Sequence, residues 1–174
     1  MFSIKFIVLF LLFYYFNIMF FGLTSPGNNY NAFLDEHLNY VAWLRWGLLH
    51  TSSFILNHIG FISIVSTTEL LVVSHNKIQL IYSCLGLGVM SFFAAFVIAY
   101  PKPVQQKIYF ISAGLIAIQV LNVLRLAIVA LYWTNKAQQI IDHHFVFNSI
   151  IYLLISISLY FWVTANDKKL NANN

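Results

Sequence analysis

Three kinds of reactive side chain are spaced along the sequence in a way that suits thiol chemistry. The single cysteine, Cys84, becomes a nucleophile once a base removes its proton. The tripeptide Asp142-His143-His144 offers such a base, since histidine accepts a proton near neutral pH and an aspartate can orient it. Adjacent histidines point about 100° apart on a helix, so one of them faces inward, and we favour His144. Arg125 could stabilise a developing oxyanion.

The residues around Arg125 indicate that its charge faces the interior of the protein. A charge at the centre of a membrane costs at least about 2.5 kcal/mol, so one that persists usually faces a cavity or a partner. Gln119, Asn122 and Arg125 recur every three residues, which places them on one stripe of an otherwise apolar helix. A lone arginine near a helix end can instead extend to the headgroups, but a polar stripe favours an inward face.

The residues around Cys84 leave two interpretations open. A cysteine in an apolar sequence is more often a small packed side chain than a nucleophile. Gly86 and Gly88 follow it, however, and residues without a side chain let another chain approach the backbone closely. A substrate could therefore be admitted beside the thiol.

The composition predicts that lipid is the main solvent of this chain. Of 174 residues, 60% are hydrophobic and 8% charged, against roughly 25% charged in soluble domains. The net charge is +4, but the cations stand at span ends, which fits the positive-inside rule and argues against a nucleic-acid surface. The length suits one unit, so residues 1–174 are expected to form a single membrane domain.

The predicted fold is an all-α integral membrane helix bundle with about four transmembrane helices. An apolar run of about 20 residues crosses a hydrocarbon core of roughly 30 Å. If the basic residues near the span ends are cytoplasmic, an odd number of crossings precedes Cys84. The thiol, Arg125 and the histidines then share the outer face. The predicted spans are residues 4–23, 85–100, 108–133 and 145–163.

Residues 24–83 are predicted to lie outside the bilayer. Residues 33–59 fit an interfacial helix with Trp43 and Trp46 at headgroup depth, and residues 61–83 fit a small β-hairpin. The alternative is a further span near residues 46–66, which would require another crossing to compensate.

The ordered motifs resemble those of the exosortase/archaeosortase family of multi-span cysteine peptidases. Cys84-Leu85-Gly86 begins one span, Asn122-Val123-Leu124-Arg125 lies late in the next, and His144 is followed four positions later by Asn148. The family's fuller first motif is Cys-Ser-Gly, and its last motif usually has Gly where Asn148 stands. These departures suggest a short, divergent branch and leave the choice between His143 and His144 open.

The resemblance implies a membrane cysteine protease or transpeptidase with Cys84, Arg125 and His144 as catalytic residues. Its partners would be the lipid bilayer and the C-terminal sorting signals of exported proteins. It would lie in the bacterial cell membrane with its site facing the periplasm or exterior, and it would require no cofactor. The sorting motif, the oligomeric state and the choice between hydrolysis and transpeptidation stay open.

Two other classes of function fit parts of the sequence. Haem or a quinone could bind to His50, His58, His143 and His144, although the first two belong to the segment placed outside the hydrocarbon. A Soret band would identify such a haem protein. A non-catalytic membrane scaffold would tolerate substitution of the thiol, the guanidinium and the histidines equally well.

Overall fold

The computed structural model describes residues 1–27, 29–132 and 143–165, without the side chains of residues 143–146. The chain forms two compact units, Met1–Thr134 and Asn135–Asn174. The helices of the first unit are α1 (Phe2–Thr24), α2 (Ala32–Leu38), α3 (Tyr40–His58), α4 (Leu87–Ala99) and α5 (Val104–Tyr132), and the second unit contains α6 (His143–Thr164).

Three helices in the described part of the chain are long and apolar enough to cross a membrane. They are α1, α5 and the Phe147–Thr164 portion of α6. The chain is therefore a mainly helical, multi-pass membrane protein, which confirms the predicted fold class. α4 is equally apolar but has only 13 residues, which corresponds to about 20 Å of helix.

Local backbone conformation explains why α4 is shorter than the predicted span of residues 85–100. Gly86 adopts φ +74°, in the left-handed region, so the helix begins only at Leu87. At the other end, Tyr100 has extended backbone and Pro101 follows it. A residue before proline is disfavoured in the helical region, which ends α4.

Aromatic rings join α1 to α4. Phe2, Phe6 and Phe10 recur every four residues and therefore lie on one face of α1. The ring of Phe6 meets Phe92 edge-on at 5.4 Å, and the ring of Phe2 meets Phe96 in the same manner at 5.3 Å between centroids. Edge-to-face pairs of this kind are favourable, and here they align the two helices.

The segment between α1 and α4 contains two helices and a sheet, where one helix and a hairpin are predicted. Asn39 separates α2 from α3, and its side-chain oxygen accepts the Ala42 N–H at 2.8 Å, which caps α3. Trp43 and Trp46 are exposed on α3, and the placement of this helix at the membrane interface stays a prediction. Since α3 ends at His58, residues 46–66 do not form one continuous helix.

The sheet is antiparallel, with strand order β1-β2-β3. It covers the ends of α3 and α5, since Leu70 and Val72 are fully buried and the Asn76 N–H donates to the Ala130 carbonyl at 3.3 Å. The chain leaves the last strand and enters a short 3-10 turn, Tyr82–Leu85, which contains Cys84. The strands are β1 (Ser63–Val65), β2 (Glu69–Val72) and β3 (Lys77–Gln79).

Gly114 of α5 lies directly against the ring of Phe93 in α4. Phe93 of α4 is 2% exposed, and a Cβ at position 114 would overlap its ring. We expect Gly114→Ala to lower the free energy of unfolding by about 1–3 kcal/mol, as overpacking of a core does. Gly22→Ala in α1 is the matched control, because a Cβ there meets nothing within 4 Å. Thermal unfolding in detergent measures both, and equal stability of the two variants would contradict this packing.

Candidate active site

Cys84 lies in the 3-10 turn immediately before α4. Its side chain is 4% exposed, and its backbone N–H donates to the Ile81 carbonyl at 3.0 Å. The turn packs into the main hydrophobic core, where Leu85 is fully buried. The thiol therefore lies in a buried turn that ends two residues before the first residue of α4.

The polar stripe of α5 faces this turn. Both Gln119 Nε2 and Asn122 Nδ2 donate to the Leu85 carbonyl at 3.4 Å. Asn122 is 1% exposed and its amide also donates to Gln119 Oε1 at 3.4 Å. A buried carbonyl without a partner costs about 1–3 kcal/mol, so these amides stabilise the turn that carries Cys84. The predicted inward face of the stripe agrees with this arrangement.

Gly86 is required by both conformation and space. Its φ of +74° is one that L side chains rarely adopt, and a Cβ there would collide with the side-chain amide of Asn122. The glycine therefore lets the turn approach α5 closely enough for the amide contacts. The Cys-x-Gly spacing has a structural cause here. Cys84 lies in the 3-10 turn, and Gly86, two residues later, adopts the left-handed conformation from which α4 begins.

Arg125 lies one helical turn beyond Asn122 and reaches the thiol. Its Nη2 donates to Cys84 Sγ at 3.7 Å, and its side chain is 3% exposed. The arginine therefore does not extend to the headgroups. A charge-assisted contact in a buried environment is stronger than the same contact in water, so the guanidinium is well placed to stabilise negative charge near the sulfur.

Burial and the groups around Cys84 act in opposite directions on the pKa of its thiol. Burial raises the pKa of the thiol above its ordinary value of 9.0, and the nearby charge of Arg125 lowers it, but by less. The net shift is upward, so the thiol is protonated at neutral pH in the resting protein. Formation of the thiolate during a reaction then requires a base.

The structure brings two of the three predicted catalytic residues together. Cys84 and Arg125 are in contact within the first unit. His144 belongs to the first turn of α6 in the second unit, and its side chain and that of His143 lie outside the described part of the chain, as does Asp142. The role of His144 stays a prediction.

The histidines of the haem alternative that the structure describes both lie on α3. His50 and His58 are exposed, and their rings pack against Trp46 and Phe54 of the same helix. The described residues contain no group of three or more metal-ligating side chains.

The sequence alone did not predict a polar network that joins three helices of the bundle. Asn17 Nδ2 donates to Ser91 Oγ at 3.0 Å, and the Tyr40 hydroxyl donates to Asn17 Oδ1 at 2.6 Å. These bonds tie α1, α3 and the first turns of α4 together. A single asparagine in an apolar run was the available signal, but its partners are 23 and 74 residues away.

The raised pKa of the Cys84 thiol predicts how the rate of its reaction with a small alkylating reagent depends on pH. Because the pKa is raised, the rate should keep rising with pH above neutrality, with no plateau near pH 7. Arg125→Gln removes the largest influence that lowers the pKa of Cys84 and should slow the reaction at each pH. Quenched mass spectrometry measures the rates, and Cys84→Ala, which leaves no thiol, is the blank. A plateau near pH 7 would contradict the upward shift.

The fold and the site define a multi-pass membrane protein in which a buried guanidinium contacts the only thiol. The chain matches the family model of transmembrane exosortases over residues 2–162. It therefore belongs to the exosortase family, as the resemblance in the sequence predicts. None of the curated proteins and none of the solved structures matches the chain.

Proposed function

We propose that this exosortase family member is a cysteine protease or transpeptidase whose nucleophile is Cys84. The observation that carries the proposal is the 3.7 Å contact between Arg125 Nη2 and Cys84 Sγ, made by two side chains that are both buried. A purely structural cysteine needs no cation beside it. A nucleophile that generates an oxyanion gains from a fixed positive charge at this distance.

The proposed reaction proceeds in two halves. In the first, the imidazole of His144 takes the proton from Cys84, and the thiolate attacks the carbonyl carbon of the scissile peptide bond. Arg125 stabilises the oxyanion of the tetrahedral intermediate. As the carbon–nitrogen bond breaks, the imidazolium returns the proton to the leaving amine, and a thioester forms on Sγ.

The second half resolves the thioester. Water or an amine attacks the thioester carbonyl and loses a proton to His144, and the thiol leaves as Cys84 regains a proton. Attack by water yields a carboxylic acid, whereas attack by an amine yields a new amide bond. Both outcomes use the same residues, and no cofactor takes part in either.

The proposed substrates are exported proteins that carry a C-terminal sorting signal with an apolar helix. Cys84 directly precedes the apolar helix α4, and Arg125 lies seven residues before the end of α5, about 10 Å along the helix. α5 contacts β2 and β3, and Cys84 shares the buried core with Leu70 of β2. A substrate helix in the same bilayer would hold its scissile bond at this depth, so insertion supplies much of the required proximity.

The proposed orientation follows the positive-inside rule. Lys102 lies in the turn between α4 and α5, and Lys107 lies in the first turn of α5, so this end of the two helices should be cytoplasmic. The sheet and the Cys84 turn lie at the opposite ends of these helices. The site would then face the outside of a bacterial cell membrane.

Substitution of the two described site residues should separate catalysis from structure. With a substrate that carries a tag on each side of its sorting signal, Cys84→Ala should abolish release of the C-terminal fragment. Arg125→Gln should slow release by about 10²–10³-fold, as loss of one oxyanion donor does. Immunoblotting of both fragments in cells measures the effect.

Two matched controls accompany these variants. Ser156→Ala removes an exposed hydroxyl that bonds only within its own helix, and Lys77→Gln removes an exposed charge on the sheet. Both should process substrate at the normal rate. Unchanged processing by Cys84→Ala would refute the assignment of the nucleophile.

A further inference from the structure

Arg45 of α3 has a buried guanidinium nitrogen without a partner. Among the described residues, its Nε is the one buried side-chain nitrogen or oxygen that makes no hydrogen bond. No described carboxylate pairs with its guanidinium either. A buried donor without an acceptor destabilises the fold, and a charged donor does so more strongly, so a ligand that supplies an acceptor would be bound favourably.

Arg45 lines a cavity of about 580 Å³ at the end of the first span. Thr24 and Pro26, at the end of α1, form one wall of this cavity, and the hydroxyl-bearing residue Thr68 forms part of another. Trp43 and Trp46 also line it and are more than half exposed. The end of a span beside exposed tryptophans is typical of headgroup depth.

A carboxylate lines the same cavity but does not neutralise the arginine. Asp35 Oδ2 accepts the Tyr30 hydroxyl at 2.7 Å, and Oδ1 accepts the Asn39 amide at 2.6 Å. These bonds lower the pKa of Asp35, so it is ionised at neutral pH. Each carboxylate oxygen retains a lone pair for a further donor. The cavity therefore offers one positive and one negative group that are not paired with each other.

We propose that this cavity, lined by Arg45 and Asp35, binds the headgroup of a zwitterionic phospholipid with an ammonium group. The phosphate accepts charge-assisted hydrogen bonds from Arg45, and the ammonium donates to Asp35. The two tryptophans pack against the glycerol and the start of the acyl chains. By contacting residues of both elements, this lipid would stabilise the packing of α3 against the end of α1.

The depth and the charges of the cavity favour a lipid over other anions. A free phosphate or an acidic peptide would satisfy Arg45 but would meet the ionised Asp35 as a like charge. A headgroup that carries both charges avoids that repulsion. Neither Cys84 nor Arg125 lines this cavity, so the proposed lipid is separate from the reacting atoms. The ring of Phe21, which does line it, packs against Tyr82 of the Cys84 turn at 4.6 Å between centroids.

Titration of the purified full chain with short-chain phosphatidylethanolamine tests the proposal. In a non-ionic detergent the emission of Trp43 and Trp46 should change saturably, and native mass spectrometry should count one retained lipid. Arg45→Gln should weaken binding about tenfold or more, since loss of a charge-assisted bond of about 1.5 kcal/mol has that effect. Arg45→Lys should bind with intermediate affinity. Asp35→Asn should abolish the preference for phosphatidylethanolamine over phosphatidylglycerol.

Lys77→Gln is the matched control, because it removes one exposed charge outside the cavity and should bind normally. Equal affinity of Arg45→Gln and the unaltered chain would overturn the proposal. Equal affinity for phosphatidylglycerol would overturn the zwitterionic assignment. Saturation that depends on Arg45 with inorganic phosphate alone, or with a soluble acidic peptide, would replace the lipid by a free anion or a peptide.

Discussion

The contact between the polar stripe of α5 and the turn before α4 determines how the site is built. Two amides on α5 require acceptors in a region where water is scarce, and the Leu85 carbonyl requires donors. The amides donate to this carbonyl, and the missing side chain of Gly86 leaves room for Asn122 to reach it. Once the turn is fixed in this way, the thiol of Cys84 lies one helical turn along α5 from the amides, where Arg125 meets it.

The surrounding elements protect this contact. The turn belongs to the same buried hydrophobic core as α3, β2 and α5, and this core includes Leu56, Leu70 and Leu126. Exclusion of water strengthens the attraction between the guanidinium and negative charge near the sulfur, but the same exclusion raises the pKa of the thiol. In the proposed reaction, Arg125 would act as a fixed electrostatic stabiliser, and Cys84 would act as a nucleophile that depends on a base.

The sequence alone predicted the features that depend on local pattern. The spacing of three in Gln119, Asn122 and Arg125 identified one helix face. Three of the four apolar runs correspond to helices long enough to cross a membrane, whereas the run at residues 85–100 contains the shorter α4. The sequence missed features that depend on distant partners: the third strand, the helix break at Asn39, and the bonds that join Asn17 to α3 and α4. Arg45 was visible as a charge in an aromatic segment, but its lack of a partner is a property of the folded chain.

The most direct test of the account is the chemical form of the new C-terminus when hydroxylamine is present during substrate processing. A thioester on Cys84 reacts with hydroxylamine, so the released N-terminal fragment should carry a hydroxamate, and Cys84→Ala should release none. Mass spectrometry distinguishes the hydroxamate from a carboxylic acid. A fragment that carries only the carboxylic acid at saturating hydroxylamine would contradict covalent catalysis by Cys84.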